Sequence, residues 1–155
     1  MSNKSIQEQL APESICFGCG PANEQGLRIR SFVEGERMTA DWQPEAHHEA
    51  FPGVINGGII GTLLDCHMNW TAAWHLMQED RLEAVPSTVT MDYGVQLRRP
   101  TPSSGPLHLE AWVEGRDDKG IVSIAAELSA GDKVCATASG RFVAVKPGHP
   151  AYHRW

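Results

Sequence analysis

Hydrophobic and polar positions change their rhythm three times along the chain, and each change marks an element. Residues 1–14 show no period and are expected as a flexible arm or a short helix. Residues 15–26 (ICFGCGPANEQG) are turn chemistry throughout. Alternation then begins, with Leu27, Ile29 and Val33 opposed to Arg28 and Arg30. It resumes over residues 37–43, where Met38, Ala40 and Trp42 share a face. Joined by Glu34-Gly35-Glu36, these two runs predict a hairpin. Residues 44–55 form an irregular connection with two prolines. From Gly57 to about Gln78 the spacing becomes three and four: Ile60, Leu63, Leu64, His67, Met68, Thr71 and Trp74 make one stripe of a long amphipathic helix. Asn56 stands where its N-cap belongs.

Four alternating runs follow the polar linker 79–86. Val89, Met91, Tyr93, Val95 and Leu97 make the first, which Pro100 and Pro102 end. Leu107 to Val113, Val122 to Leu128 and a run from Val134 to about Val145 make the others. Short turns join them, so consecutive strands are expected to be antiparallel neighbours. The fold class is α+β: a curved antiparallel sheet of five to six strands wrapped around one long helix. A single domain over residues 15–145 follows, with residues 146–155 as a surface tail. Sheet edges in such a layer pair invite pairing between chains.

The length of 155 residues suits one domain that buries a core without a staple. A formal charge of −6, with no basic block, argues against nucleic-acid binding and against a polybasic membrane patch. No run approaches the ~18 apolar residues of a membrane span. The polar start MSNKSIQEQL lacks the apolar core of a signal peptide, so a cytoplasmic location with free thiols is expected. Cys16 and Cys19 form a C-x-x-C, but a zinc site needs four ligands and Cys66 and Cys135 are solitary. A tight turn without chemistry is expected there, with Cys66 in packing, no metal and no cofactor.

Residues 53–70 (GVINGGIIGTLLDCHMNW) carry the chemical information. Gly57 and Gly58 open the helix, where backbone N–H groups with partial positive charge can meet a polarised carbonyl without a Cβ in the way. Asp65 lies off the apolar stripe, on a strip with Gly58, Gly61 and Ala72. Seven residues at ~1.5 Å rise put Asp65 roughly 10 Å along the axis from Gly58, too far for both to touch one reacting group. If they act together, they do so across two antiparallel chains. His67 falls on the apolar stripe and reads as a core histidine.

The same segment resembles the helix-opening signature of hotdog-fold acyl-CoA thioesterases of the phenylacetate-pathway type. Their pattern is a small apolar run, His-Gly-Gly, then an acidic residue seven positions after the second glycine. Here it reads Gly53-Val54-Ile55-Asn56-Gly57-Gly58 and Asp65, with Asn56 in place of the histidine. The opening Cys16-Phe17-Gly18-Cys19-Gly20-Pro21-Ala22-Asn23 with Gly26-Leu27, and the strand Thr88 to Tyr93 ending Leu97-Arg98-Arg99-Pro100-Thr101-Pro102, resemble that family too. The resemblance implies thioester hydrolysis to free acid and coenzyme A by a homodimer, with a tetramer expected from further packing of dimers. The Gly58 N–H, with Gly57 or the Asn56 amide, would polarise the carbonyl. Asp65 from the facing chain would act as general base or as nucleophile, and Thr90 would help hold water, with Thr88 as the alternate. Asn56 can donate a hydrogen bond but cannot take up a proton near neutral pH. His48 and Phe51 are candidates to line the acyl pocket, and Arg98 and Arg99 to meet the phosphates of coenzyme A. Coenzyme A is part of the substrate, not a cofactor. Two rival readings use the same scaffold: a non-catalytic acyl-CoA or lipid-binding module, and a dehydratase or hydratase.

Overall fold

The computed structural model describes residues 3–155. Helix α1 (Ile6–Leu10) precedes strands β1 (Phe32–Glu34) and β2 (Arg37–Trp42). A 3₁₀ turn (Ala46–His48) and the two short strands β3 (Glu49–Phe51) and β4 (Val54–Ile55) lead into helix α2 (Gly57–Glu79). Strands β5 (Thr88–Leu97), β6 (Leu107–Arg116), β7 (Val122–Ala130) and β8 (Lys133–Ala144) complete the chain. The main sheet has six strands in the order β1-β2-β6-β7-β8-β5, all antiparallel. It wraps α2 as the element order predicted, in the hotdog arrangement that the family resemblance implied.

The central helix forms for the reasons its sequence gives. Asn56 caps it, its side-chain oxygen accepting from the N–H groups of Gly58 and Ile59 at 2.8 and 3.2 Å. Its 23 residues are buried on most sides, with Leu63, Leu64, Met68 and Trp70 fully so. A helix enclosed by a sheet needs apolar residues around most of its girth, rather than a single stripe. The inward positions of β6 and β7 (Leu107, Leu109, Ala111; Val122, Ile124, Ala126, Leu128) alternate as a half-buried sheet demands, and close the core against it.

The structure departs from the periodic reading in four places. First, β5 pairs with β8 and not with β6, because the proline-containing link 98–106 crosses to the far side and bridges Val54 through Pro102. Second, residues 27–31 are not strand: Arg28 takes φ of 52°, while Leu27 and Ile29 hydrogen-bond back to Phe17 and Gly18 and stay buried. Third, residues 3–14 are not a free arm but hold the short helix that was the other expectation, while Met1 and Ser2 lie outside the described residues. Ser5 caps α1, Ile6 is buried, and Gln7 exchanges two 2.9 Å hydrogen bonds with Ser31. Fourth, the tail is not merely superficial. Trp155 stacks on Trp70 with ring centroids 4.3 Å apart and donates to Pro86 O at 2.8 Å. Trp155→Ala is therefore expected to cost about 1 kcal/mol and to red-shift the tryptophan emission as Trp70 loses its cover, read by denaturant titration with fluorescence.

Candidate active site

Asp65 and Thr90 meet. Thr90 Oγ1 donates to Asp65 Oδ1 at 2.7 Å, joining the middle of α2 to the start of β5. A β-bulge makes this possible. The β5–β8 register shifts between Thr90 and Asp92, leaving Met91 unpaired. The extra residue reverses the alternation. Before it, Thr88 and Thr90 face the helix. After it, Tyr93 and Leu97 do, with the Tyr93 hydroxyl 3.5 Å from where a Cβ on Gly61 would sit and Leu97 Cδ1 3.4 Å from one on Gly57. The single apolar face expected from Val89 to Leu97 is thus two half-faces.

Burial raises the pKa of the half-buried Asp65 carboxyl. The Thr90 hydrogen bond and the nearby Arg154 charge oppose that rise, and Cys16 adds to it. Two residues with no earlier assignment border the pair. Asn69, one turn beyond Asp65, donates to Thr88 O at 3.3 Å, and Arg154 Nη1 donates to the same carbonyl at 2.9 Å. The side-chain oxygens of Asn69 and Thr88 are buried and have no partner among the described residues, polar atoms that suit an ordered water. The helical period could have found Asn69, which shares Asp65's face; no local signal marks Arg154.

Thr90→Val removes the one bond that favours the Asp65 carboxylate from a neutral donor. The Asp65 pKa should climb further, read as an upward shift of its carboxyl titration followed by NMR.

The opening of α2 differs from expectation in one respect. The Gly58 N–H, expected to be free for a carbonyl, already donates to Asn56 Oδ1. Among the described residues no partner engages the Gly57 N–H or the Asn56 side-chain amide nitrogen, and Asn56, Gly57 and Gly58 are all exposed. The outward donors here are therefore Gly57 and Asn56.

The other candidates divide. His48 is buried against Trp42, its Nδ1 accepting from Glu45 N–H at 2.9 Å, while its carbonyl accepts from Asn56 N–H at 3.0 Å. Through its carbonyl it positions the cap, and its ring packs on Trp42. Phe51 is 59% exposed. Arg98 and Arg99 are exposed at the end of β5, next to Leu97 and so near Gly57; Arg98 Nε donates to Thr137 at 3.1 Å. His67 is the core histidine expected: Nε2 donates to Met38 O at 2.9 Å and Nδ1 accepts from Ser31 at 2.8 Å. A groove of about 450 Å³, bordered by Met38, Thr71, Trp74, His75 and Trp112, opens on another face and touches neither Asp65 nor Asn56.

The cysteine expectation is corrected. Cys66 is not solitary packing: folding brings its sulfur to those of Cys16 and Cys19, all within 4.8 Å of one another. Gly18 permits this, since a Cβ there would lie 2.4 Å from Cys66 Sγ.

No protein-family model matches the chain, and no curated protein is similar to it in sequence. Solved structures are similar in fold. A thioesterase superfamily protein from Shewanella loihica PV-4 is 26% identical, with 81% of this chain and 98% of that one covered and a TM-score of 0.66. A phenylacetic acid degradation-related protein from Ralstonia eutropha JMP134, named as a thioesterase candidate, is 22% identical over 75% of this chain and 84% of its own, with a TM-score of 0.62. A thioesterase from Haemophilus influenzae is 16% identical over 79% and 84%, with a TM-score of 0.64. The fold is the hotdog fold, and several of its solved neighbours carry thioesterase names. No helix among the described residues is long and apolar enough to cross a membrane.

Proposed function

We propose that the protein is a thioester hydrolase acting on an acyl-CoA, at a site completed by a second copy of the chain. The observation that carries this reading is the Thr90–Asp65 pair on the flank of a helix whose N-terminus presents unpartnered donors. A thioester carbonyl would accept from the Gly57 N–H and the Asn56 amide of one chain. The partner's Asp65 would take a proton from water as the water oxygen adds to the carbonyl carbon. Collapse of the tetrahedral oxyanion breaks the C–S bond, and the thiolate of coenzyme A leaves and is protonated. By the alternative route the carboxylate itself attacks, forming a mixed anhydride that water then opens. Arg98 and Arg99 would meet phosphates near the helix opening, and Phe51 would face the acyl group. The local cations matter because a net charge of −6 does not draw in a polyanion.

The dimer has independent support. β5 is the outer strand of the sheet, and Met91, Tyr93 and Leu97 on it are 47%, 44% and 58% exposed. An outer strand with apolar side chains favours cover by another chain. The shared site requires the elution volume of a dimer or tetramer; a strict monomer would exclude it.

The test is a panel of aliphatic and aryl acyl-CoA esters with released thiol detected, wild type beside Asp65→Asn. Hydrolysis by the wild type alone is expected, and equal rates would remove Asp65 from the reaction. Engagement of the Gly58 N–H by Asn56 favours a second reading, acyl-CoA binding without turnover. Tight thioester binding with no thiol release, unaltered by Asp65→Asn, would establish it.

A further inference from the structure

We propose that Cys16, Cys19 and Cys66 form a binding site for one thiophilic divalent metal ion, zinc in kind, with a fourth coordination position left to a non-protein ligand. The first argument is distance. Two sulfurs each ~2.3 Å from a tetrahedral zinc lie ~3.8 Å apart. Cys16 Sγ and Cys66 Sγ are 3.8 Å apart, and Cys19 Sγ lies within 4.8 Å of both. A single ion between them needs sub-ångström adjustment.

The second argument is how the three thiols are held. The loop carrying Cys16 and Cys19 is fastened on both sides. Gly20 N–H donates to Cys16 O at 2.8 Å, and Leu27 and Ile29 N–H donate to Phe17 O and Gly18 O at 2.8 and 3.0 Å. Gly20 lies so close to Cys16 N and Ser14 O that a Cβ would come within 2.4 Å of each. Gly18 is equally excluded from bearing a side chain, by Cys66 itself. Gly18 thus lets the loop sulfurs approach the helix at Cys66, and Gly20 lets the loop fold back tightly on residues 14–16. The Trp70 indole N–H donates to Cys19 Sγ at 3.3 Å, a further support for a sulfur carrying negative charge.

The third argument is access. Cys16 is half-buried and gives the entry path; Cys19 and Cys66 are buried. Among the described residues no fourth Cys, His, Asp or Glu completes the set, which leaves one position open.

The reduced full chain is titrated anaerobically with Co²⁺ as a spectroscopic stand-in for Zn²⁺. About one equivalent per chain should bind, with thiolate-to-cobalt charge-transfer absorption in the near ultraviolet that Zn²⁺ abolishes by displacement. Cys16→Ser and Cys66→Ser should lose these bands, while Cys135→Ser keeps them. Cys66 is buried, so its serine variant can fail to fold. Wild-type protein supplies a second readout: saturating Zn²⁺ should slow alkylation of Cys16, mapped by mass spectrometry, by at least ~10-fold. Uptake below about a tenth of an equivalent with unchanged Cys16 alkylation, equal loss in Cys135→Ser, or a disulfide forming among the three in place of metal uptake would each overturn the site.

Discussion

Asp65→Asn is expected to lower thioester hydrolysis by about 10³-fold while leaving substrate affinity within a few-fold. Asparagine has the shape of aspartate and still offers Thr90 an acceptor, so the local packing survives. It cannot take a proton from water or attack a carbonyl, so the chemical step fails by either route. The expected signature is a collapse of kcat with KM nearly unchanged. The two halves of the site also make a sharper experiment possible. Asp65→Asn and Asn56→Ala chains should each be nearly inactive alone. Refolded together at equal amounts, half of randomly formed dimers would be mixed, each with one intact site, giving about a quarter of wild-type activity. No recovery on mixing would put both groups in one chain, contrary to the roughly 10 Å of helix between them.

Stability is expected to fall by on the order of 3 kcal/mol between pH 7 and pH 4 through His67 alone. The ring is fully buried, and burial lowers its pKa to about 4 from an ordinary 6.5, the hydrogen bond to Met38 O opposing and His108 adding to the shift. Between those two pH values the unfolded chain binds a proton that the folded chain refuses. Stability therefore rises with pH across that window, is full above about 6.5 and is lost as pH falls to about 4. Carboxylates lowered by their partners, such as Glu8 and Asp80, add losses at lower pH. His67→Gln separates the contributions, because glutamine keeps a donor and an acceptor and does not titrate. Urea titrations of both proteins from pH 7 to pH 4 should show a markedly flatter slope for the variant. Equal slopes would mean that His67 is already neutralised or solvated in some other way.

How far the sequence could be read depended on the range of the interactions involved. The central helix, its Asn56 cap, the strands β6 to β8 and the burial of His67 rest on contacts within a few residues or on period alone, and all were legible. Thr90 and Asp65 were each named through resemblance to a family, but the hydrogen bond between them emerged only in the structure. The bulge at Met91 was hidden, because an unpaired residue in an alternating run looks like any other until its partner strand is known. The same holds for the β5–β8 pairing, since strand order is set by where the link 98–106 can cross. Gly58's occupied N–H depended on the rotamer of the cap beside it.

What the sequence by itself determined about this protein was the layering: one long helix with a wide apolar face, and alternating strands enough to wrap it; that the helix is buried on most sides came from the structure. Only the tertiary structure decided which distant side chains share an environment. Arg154 reaches Thr88 O across 66 residues and Cys66 meets Cys16 across 50. The physical reason is the same for both. Local periodicity fixes the direction in which a side chain points, whereas proximity between remote segments comes from how the loop and the tail close over the core.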